Sequence, residues 1–140
     1  MVDIEFTIYG KPKPLKRHSP SKWGGNYDPS YKDKKDIILR VAKFKPKTPL
    51  LGGLRVYLVF YMQRPKEHFR MGKFKGQLKK GLSIFHTKTP DIDNLIKLIL
   101  DSLNGQFWND DKQICQLQSE KLYCNAGEKP RTEIIIQQAD

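Results

Sequence analysis

The chain has 140 residues, 38 % of them apolar and 11 % aromatic, which suits one domain with a hydrophobic core and excludes a disordered polar tail. Its formal net charge is +11, with a pI near 9.7, so a polyanionic partner is expected. No apolar run approaches the roughly 20 residues of a membrane helix, and Met1-Val2-Asp3-Ile4-Glu5 lacks the basic-then-apolar order of a secretion signal, so a cytoplasmic location without membrane association is expected.

Ile4, Phe6 and Ile8 alternate with Glu5, Thr7 and Tyr9, the two-residue period of a half-buried strand. Residues 10–27 turn irregular and basic, opening Gly10-Lys11-Pro12-Lys13-Pro14-Leu15-Lys16-Arg17-His18, and their prolines and glycines argue against regular structure. Asp28-Pro29 has the form of an N-cap followed by proline at the first helical position. Ile37, Ile38, Val41 and Ala42 then supply the apolar stripe of a helix that ends before Pro46. Leu54, Val56, Leu58, Phe60 and Met62 mark a second alternating strand. Residues 63–88 hold eight Lys+Arg against the single acid Glu67, with three glycines and Phe69, Phe74 and Phe85. They read as a long, flexible basic loop, and loops of that length are usually functional or disordered. A helix is predicted from about Pro90 to Asn104, stopped by Gly105. The loop Gln106-Phe107-Trp108-Asn109-Asp110-Asp111 follows. Residues 112–123 and 131–137 are predicted to close as a hairpin around Asn125–Pro130. The order β-α-β-α-β-β predicts a single α+β domain, a small mixed sheet of about four strands packed with two main helices. Cys115 and Cys124 match no zinc spacing and read as reduced thiols.

Charge is distributed unevenly. Residues 1–88 hold 21 Lys+Arg against 6 Asp+Glu, whereas residues 89–140 hold 5 against 9. The basic part offers candidate phosphate contacts at Lys11, Lys13, Lys16, Arg17, Arg64, Lys66, Arg70, Lys73, Lys75 and Lys88. The acidic part contains Thr89-Pro90-Asp91-Ile92-Asp93-Asn94-Leu95-Ile96-Lys97. There Ile92, Leu95, Ile96, Ile99 and Leu103 form a helical apolar stripe, and Asp93, Asn94, Lys97, Asp101 and Asn104 fall within about 100° of arc on the other side.

Hydrolysis of a phosphodiester requires a nucleophile, in-line geometry and a sink for developing charge, and Mg²⁺ can supply all three. Mg²⁺ prefers oxygen ligands, commonly one or two carboxylates with several waters. Residues two apart on a helix point about 200° from each other. Asp91 and Asp93 therefore converge only if Asp91 precedes the first regular turn, which Pro90 favours. A helix N-terminus repels cations, so a metal here needs several carboxylates, and Asp111 or Asp110 from the Trp108 loop is the natural supplement. Each acid also has an ordinary explanation. Asp91 could be a cap. Asp93 and Lys97 could form a surface pair worth ~0.3–0.5 kcal/mol. Asn109-Asp110-Asp111 is a normal turn composition.

The runs Asp91-Ile92-Asp93-Asn94-Leu95-Ile96-Lys97, Asp101-Ser102-Leu103-Asn104 and Phe107-Trp108-Asn109-Asp110-Asp111 resemble the signature of the RusA-type Holliday junction resolvases. The first strand followed by Gly10-Lys11-Pro12-Lys13-Pro14 and Arg17 is similar to the family's opening. The resemblance implies metal-binding acids at Asp91, Asp93 and Asp111, a functional lysine at Lys97, and Mg²⁺, replaceable by Mn²⁺, as cofactor with no small-molecule cofactor. It further implies a homodimer that nicks opposed strands of a four-way DNA junction in recombination and repair, in proteins often encoded by phage and prophage. The loop at 63–88 looks longer than in compact members. Its phenylalanines could pack on the domain or wedge between bases. Two alternatives stay open: a non-catalytic basic module whose acids are caps, and a nuclease acting on flaps or other branched DNA.

Overall fold

The computed structural model describes residues 3–17, 19–20 and 26–139, with Ser19, Pro20 and Asn26 described by backbone alone. Met1, Val2, His18 and residues 21–25, all read above from sequence, lie outside the described residues. The elements in chain order are β1 (Asp3–Tyr9), β2 (Ser19–Pro20), β3 (Asn26–Tyr27), α1 (Tyr31–Val41), β4 (Leu54–Met62), α2 (Ile92–Leu103), β5 (Ile114–Tyr123) and β6 (Arg131–Gln138). Strands β1, β6, β4 and β5 lie in that order in one mixed sheet. The α+β class, the four-stranded sheet and the two helices match the sequence reading. The β2–β3 ladder interrupts a segment expected to be irregular throughout.

Strand β4 explains the sheet order. Leu54, Val56, Leu58, Phe60 and Met62 are all buried on one face. A strand so deeply covered needs hydrogen-bond partners along both edges. β6 pairs antiparallel on one side and β5 parallel on the other. The expected β5–β6 hairpin is therefore not formed, because β4 stands between its two arms. Ile134 and Ile136 of β6 and Phe6 of β1 extend the buried face, which α1 and α2 cover. Phe6 stacks on Phe44 and Phe107 with ring centroids 5.1 and 5.3 Å apart.

A parallel β4–β5 pair demands a crossover, and α2 lies within it. The N-terminus of α2 therefore follows the end of β4, and its C-terminus leads back toward the start of β5. The helix buries Leu95, Leu98, Ile99, Ser102 and Leu103. Ile92 and Ile96, expected within the buried stripe, are only half-buried and pack against the core. After α2, Phe107 and Trp108 are fully buried, and Gly105 N donates to Trp108 O at 2.7 Å. Gly105 has φ +79°, a conformation that favours glycine and turns the chain sharply.

Residues 63–88 are organised by their own backbone bonds. Two short 3₁₀ turns, Lys66–His68 and Gly72–Phe74, flank an antiparallel bridge between Phe69 and Leu78. The end of the segment returns along the outer edge of β5: Tyr123 N donates to Ile84 O at 2.8 Å and His86 N to Lys121 O at 3.0 Å. That pairing covers part of an otherwise open sheet edge and delivers the chain to Asp91. No helix among the described residues is long and apolar enough to cross a membrane.

Candidate active site

Asp91 is the residue before α2, with φ −68° and ψ 142°, the extended conformation that convergence with Asp93 requires. Its carbonyl accepts from Asn94 N and Leu95 N, but its carboxylate makes no capping bond. Capping therefore does not account for this aspartate. Asp93, in the first turn, and Lys97, one turn later, are exposed, and no ion pair joins them among the described residues. Two carboxylates and an ammonium thus face solvent from one helix end, with no side-chain partner among the described residues.

Asp110 and Asp111 divide their roles. Asp110 forms a capping box: its carboxylate accepts from Lys112 N at 2.9 Å, and the Gln113 side chain accepts from Asp110 N at 3.1 Å. Asp110 is a turn former. Asp111 accepts from the indole Nε1–H of Trp108 at 2.8 Å, which aims its carboxylate from a fully buried anchor. Burial pushes the Asp111 pKa up, the indole bond pulls it back, and the charges of Asp101 and Asp110 push it up again. Asp111 therefore sits near Asp101, at the C-terminal part of α2. Eight residues of helix separate Asp101 from Asp93, about 12 Å along the axis. Among the described residues no three His, Cys, Asp or Glu side chains gather as a metal site. Asp91, Asp93 and Asp111 accordingly form no such group among the described residues.

The basic residues collect in two places. Lys11 and Lys13 line a cleft with Met62, Gln63, His86, Thr89 and Pro90, beside the Asp91 end of α2. Leu15 N donates to Asn94 O at 2.9 Å, which docks the opening segment on that same end. Lys88 and Lys121 line the adjoining hollow with Asp91. Lys66, Arg70 and Lys75 surround a separate hollow within 63–88, and Lys73 lies beside Phe74 in the same loop. Lys16 and Arg17 are exposed on the opening segment. Arg64 is a correction to the sequence reading. It is 5 % exposed, donates to Cys124 O at 2.9 Å and lies over the Tyr123 ring at 4.9 Å. It holds the loop base to the sheet and is not placed to meet a phosphate.

Sequence reading missed Lys121 and His86. Lys121 pairs with Phe60 across the β4–β5 ladder and so faces the helix side of the sheet. Its Nζ donates to Lys88 O, and to Pro90 O at 2.7 Å, which ties down two of the three carbonyls before Asp91. A lysine on the inward face of a strand is the signal, and it is readable only once β5 is known to lie beside β4. His86 lies over the edge of Tyr123 at 4.9 Å, and its buried Nδ1 has no hydrogen-bond partner. Burial, then the Lys121 charge, outweigh its backbone hydrogen bond and, with Lys88, hold its pKa below the usual histidine value.

Asp91 and Asp93 suit a hard divalent ion: both offer oxygen donors that no group among the described residues occupies, and Mg²⁺ needs only one or two carboxylates when it keeps its waters. The family model described as endodeoxyribonuclease RusA matches residues 9–137. The chain is also 31 % identical over 140 residues to "Uncharacterized protein YqaN" of Bacillus subtilis (strain 168), covering 96 % of each chain.

Two outcomes follow from this geometry. Lys121→Met frees the carbonyls before Asp91, so the apparent affinity for Mg²⁺ at the Asp91–Asp93 end should fall about 10-fold or more, with partial rescue by arginine; unchanged Mg²⁺ titration followed by NMR of the α2 amides would refute the positioning role. Asp111→Asn keeps the acceptor for Trp108 Nε1 and removes a charge that folding disfavours. An acid whose folded pKa is raised costs stability above that pKa and nothing below its unfolded value. In EDTA near neutral pH the variant should melt at or above the wild-type temperature, and the gap should close as pH falls below the ordinary aspartate range. A clear drop in Tm at neutral pH would contradict this.

Proposed function

The chain belongs to the RusA endodeoxyribonuclease family, and from that premise we propose that it is a Mg²⁺-dependent endonuclease that resolves four-way DNA junctions by paired, symmetric nicks. The observation that carries this reading is the Asp91–Asp93 end of α2. Among the described residues its carboxylates serve no cap or ion pair, and Lys11, Lys13, Lys88 and Lys121 surround the adjoining clefts.

Asp91 and Asp93 would hold Mg²⁺, with Mn²⁺ as a substitute, and the bound ion would supply Lewis acidity toward the phosphate and its attacking water. Lys97 follows Asp93 by four residues, about 6 Å along the axis, and neutralises charge on the departing oxyanion. Lys11, Lys13 and Lys88 hold the phosphate backbone, which makes binding fall steeply with salt. Asp91 and Asp93 together offset the helix dipole that opposes a cation at this end.

Asp111 enters from a second copy in this account. An ion with bonds of about 2.0–2.1 Å cannot bridge the two ends of α2 within one chain. A two-fold dimer that lays α2 antiparallel to its copy carries each Asp111 toward the other chain's Asp91 and Asp93. The same symmetry suits the two opposed strands of a junction. The remoteness of Asp111 within one chain also favours a second reading, a basic DNA-binding module with no chemistry. Family membership and the uncommitted carboxylates weigh against it.

Labelled four-way junction, flap and linear duplex, incubated with Mg²⁺ and then with EDTA, separate these readings. Paired symmetric nicks confined to the junction and abolished by EDTA are expected, with cleavage slowed on the order of 100-fold or more in Asp93→Asn while binding persists. Binding without any Mg²⁺-dependent cutting would establish the module, and cutting by Asp93→Asn at the wild-type rate would remove that residue from the site.

A further inference from the structure

Residues 68–79 form a hairpin that serves no evident purpose in the fold. Arg70 N donates to Gln77 O at 2.8 Å, Lys79 N to His68 O at 2.9 Å, and Gln77 N to Phe74 O at 3.1 Å. Gly72 and Gly76 take φ of +69° and +92°, which residues with a β-carbon resist. The tip is therefore shaped by its own backbone. Met71 is 88 % exposed there, and Phe74 is 37 % exposed. The Arg70 guanidinium lies 3.8 Å from the Phe74 ring centroid and also donates to Gln77 Oε1, which braces that ring against the stem.

A single exposed methionine is ordinary. This one stands out because of its surroundings. Between residues 66 and 80 there are six Lys+Arg and one acid, Glu67. Such a collar selects a polyanion over an apolar protein surface. Against DNA phosphates an apolar side chain gains nothing, whereas between bases it can bury itself. Opening an intact stack costs a few kcal/mol, and the cost is lowest where pairing is already interrupted. A branch point supplies such an interruption.

Resting on the DNA-junction reading above, we propose that the 68–79 hairpin is a wedge: its basic collar grips phosphates, and Met71 enters the base stack beside the branch point with Phe74 as the second apolar contact. The three phenylalanines of the loop thereby separate. Phe69 is half-buried in the stem, and Phe85 lies against the β5 edge, bridged to Leu122.

The test uses a four-way junction carrying 2-aminopurine beside the branch point and, as a control, within one arm. EDTA keeps the DNA intact, and a parallel reaction with Mg²⁺ scores cutting. At saturation the full chain should raise fluorescence several-fold at the branch and not in the arm. Met71→Ser should remove more than half of that rise while junction affinity stays within about 3-fold, since the phosphate contacts that set affinity remain; Met71→Leu should restore it. A rise equal in Met71→Ser and wild type, or no rise from a protein that cuts the junction, overturns the wedge and leaves the nuclease standing. A rise that depends on Met71, from a protein that cuts nothing in Mg²⁺, keeps the wedge and overturns the nuclease. Failure to bind the junction overturns both.

Discussion

Strand β4 buries every second side chain from Leu54 to Met62 and is paired along both edges. That arrangement places every other part of the molecule. With β6 on one side, the remaining edge takes β5 in parallel, and a parallel pair cannot be joined by a tight turn. The chain must leave the end of β4, cross the sheet as α2 and return to the start of β5. The two ends of α2 consequently lie at opposite ends of the β4–β5 pair, and each end carries part of the acidic signature. Asp91 and Asp93 stand where the helix begins, whereas Asp111 stands where the chain turns back, fixed by Trp108.

This separation has a chemical consequence. One end offers two uncommitted carboxylates and the cations to attract a phosphate. The other offers a single carboxylate whose charge burial disfavours, the state of a ligand that gains most when a cation arrives. Within one chain neither end is complete. In the proposed two-fold dimer a partner would complete both at once, which would make the symmetry of the assembly part of the chemistry. Lys121 links this to the sheet, since its grip on the carbonyls of Lys88 and Pro90 makes the position of Asp91 depend on the β4–β5 pairing.

The alternation in β4 and the helical period after Pro90 were legible because both follow from burial of one face, which sequence records directly. The strand order was not. Adjacent strands usually pair, so β5 and β6 read as a hairpin until β4, with its two demanding edges, took the place between them. Spacing alone left the two neighbouring aspartates alike and only the family resemblance singled out Asp111; the indole hydrogen bond to Asp111 and the capping box at Asp110 now distinguish their surroundings. Arg64 looked like any cation of a basic loop, because nothing in the sequence marks Cys124 O as its acceptor. The internal pairing of residues 68–79 left no periodic trace, since two glycines and a few backbone bonds make it rather than a buried face.

The central claim is that Asp91 and Asp93 of one chain act with Asp111 of another, and it is tested by mixing two inactive proteins. Asp93→Asn and Asp111→Asn, each alone, should fail to cut a four-way junction in Mg²⁺. Co-folded, their mixed dimers would hold one doubly altered site and one intact site, so single-strand nicking should return without paired cuts. If the mixture stays as inactive as its components while mixed dimers are shown to form, the acids do not act across two chains, and the account is wrong.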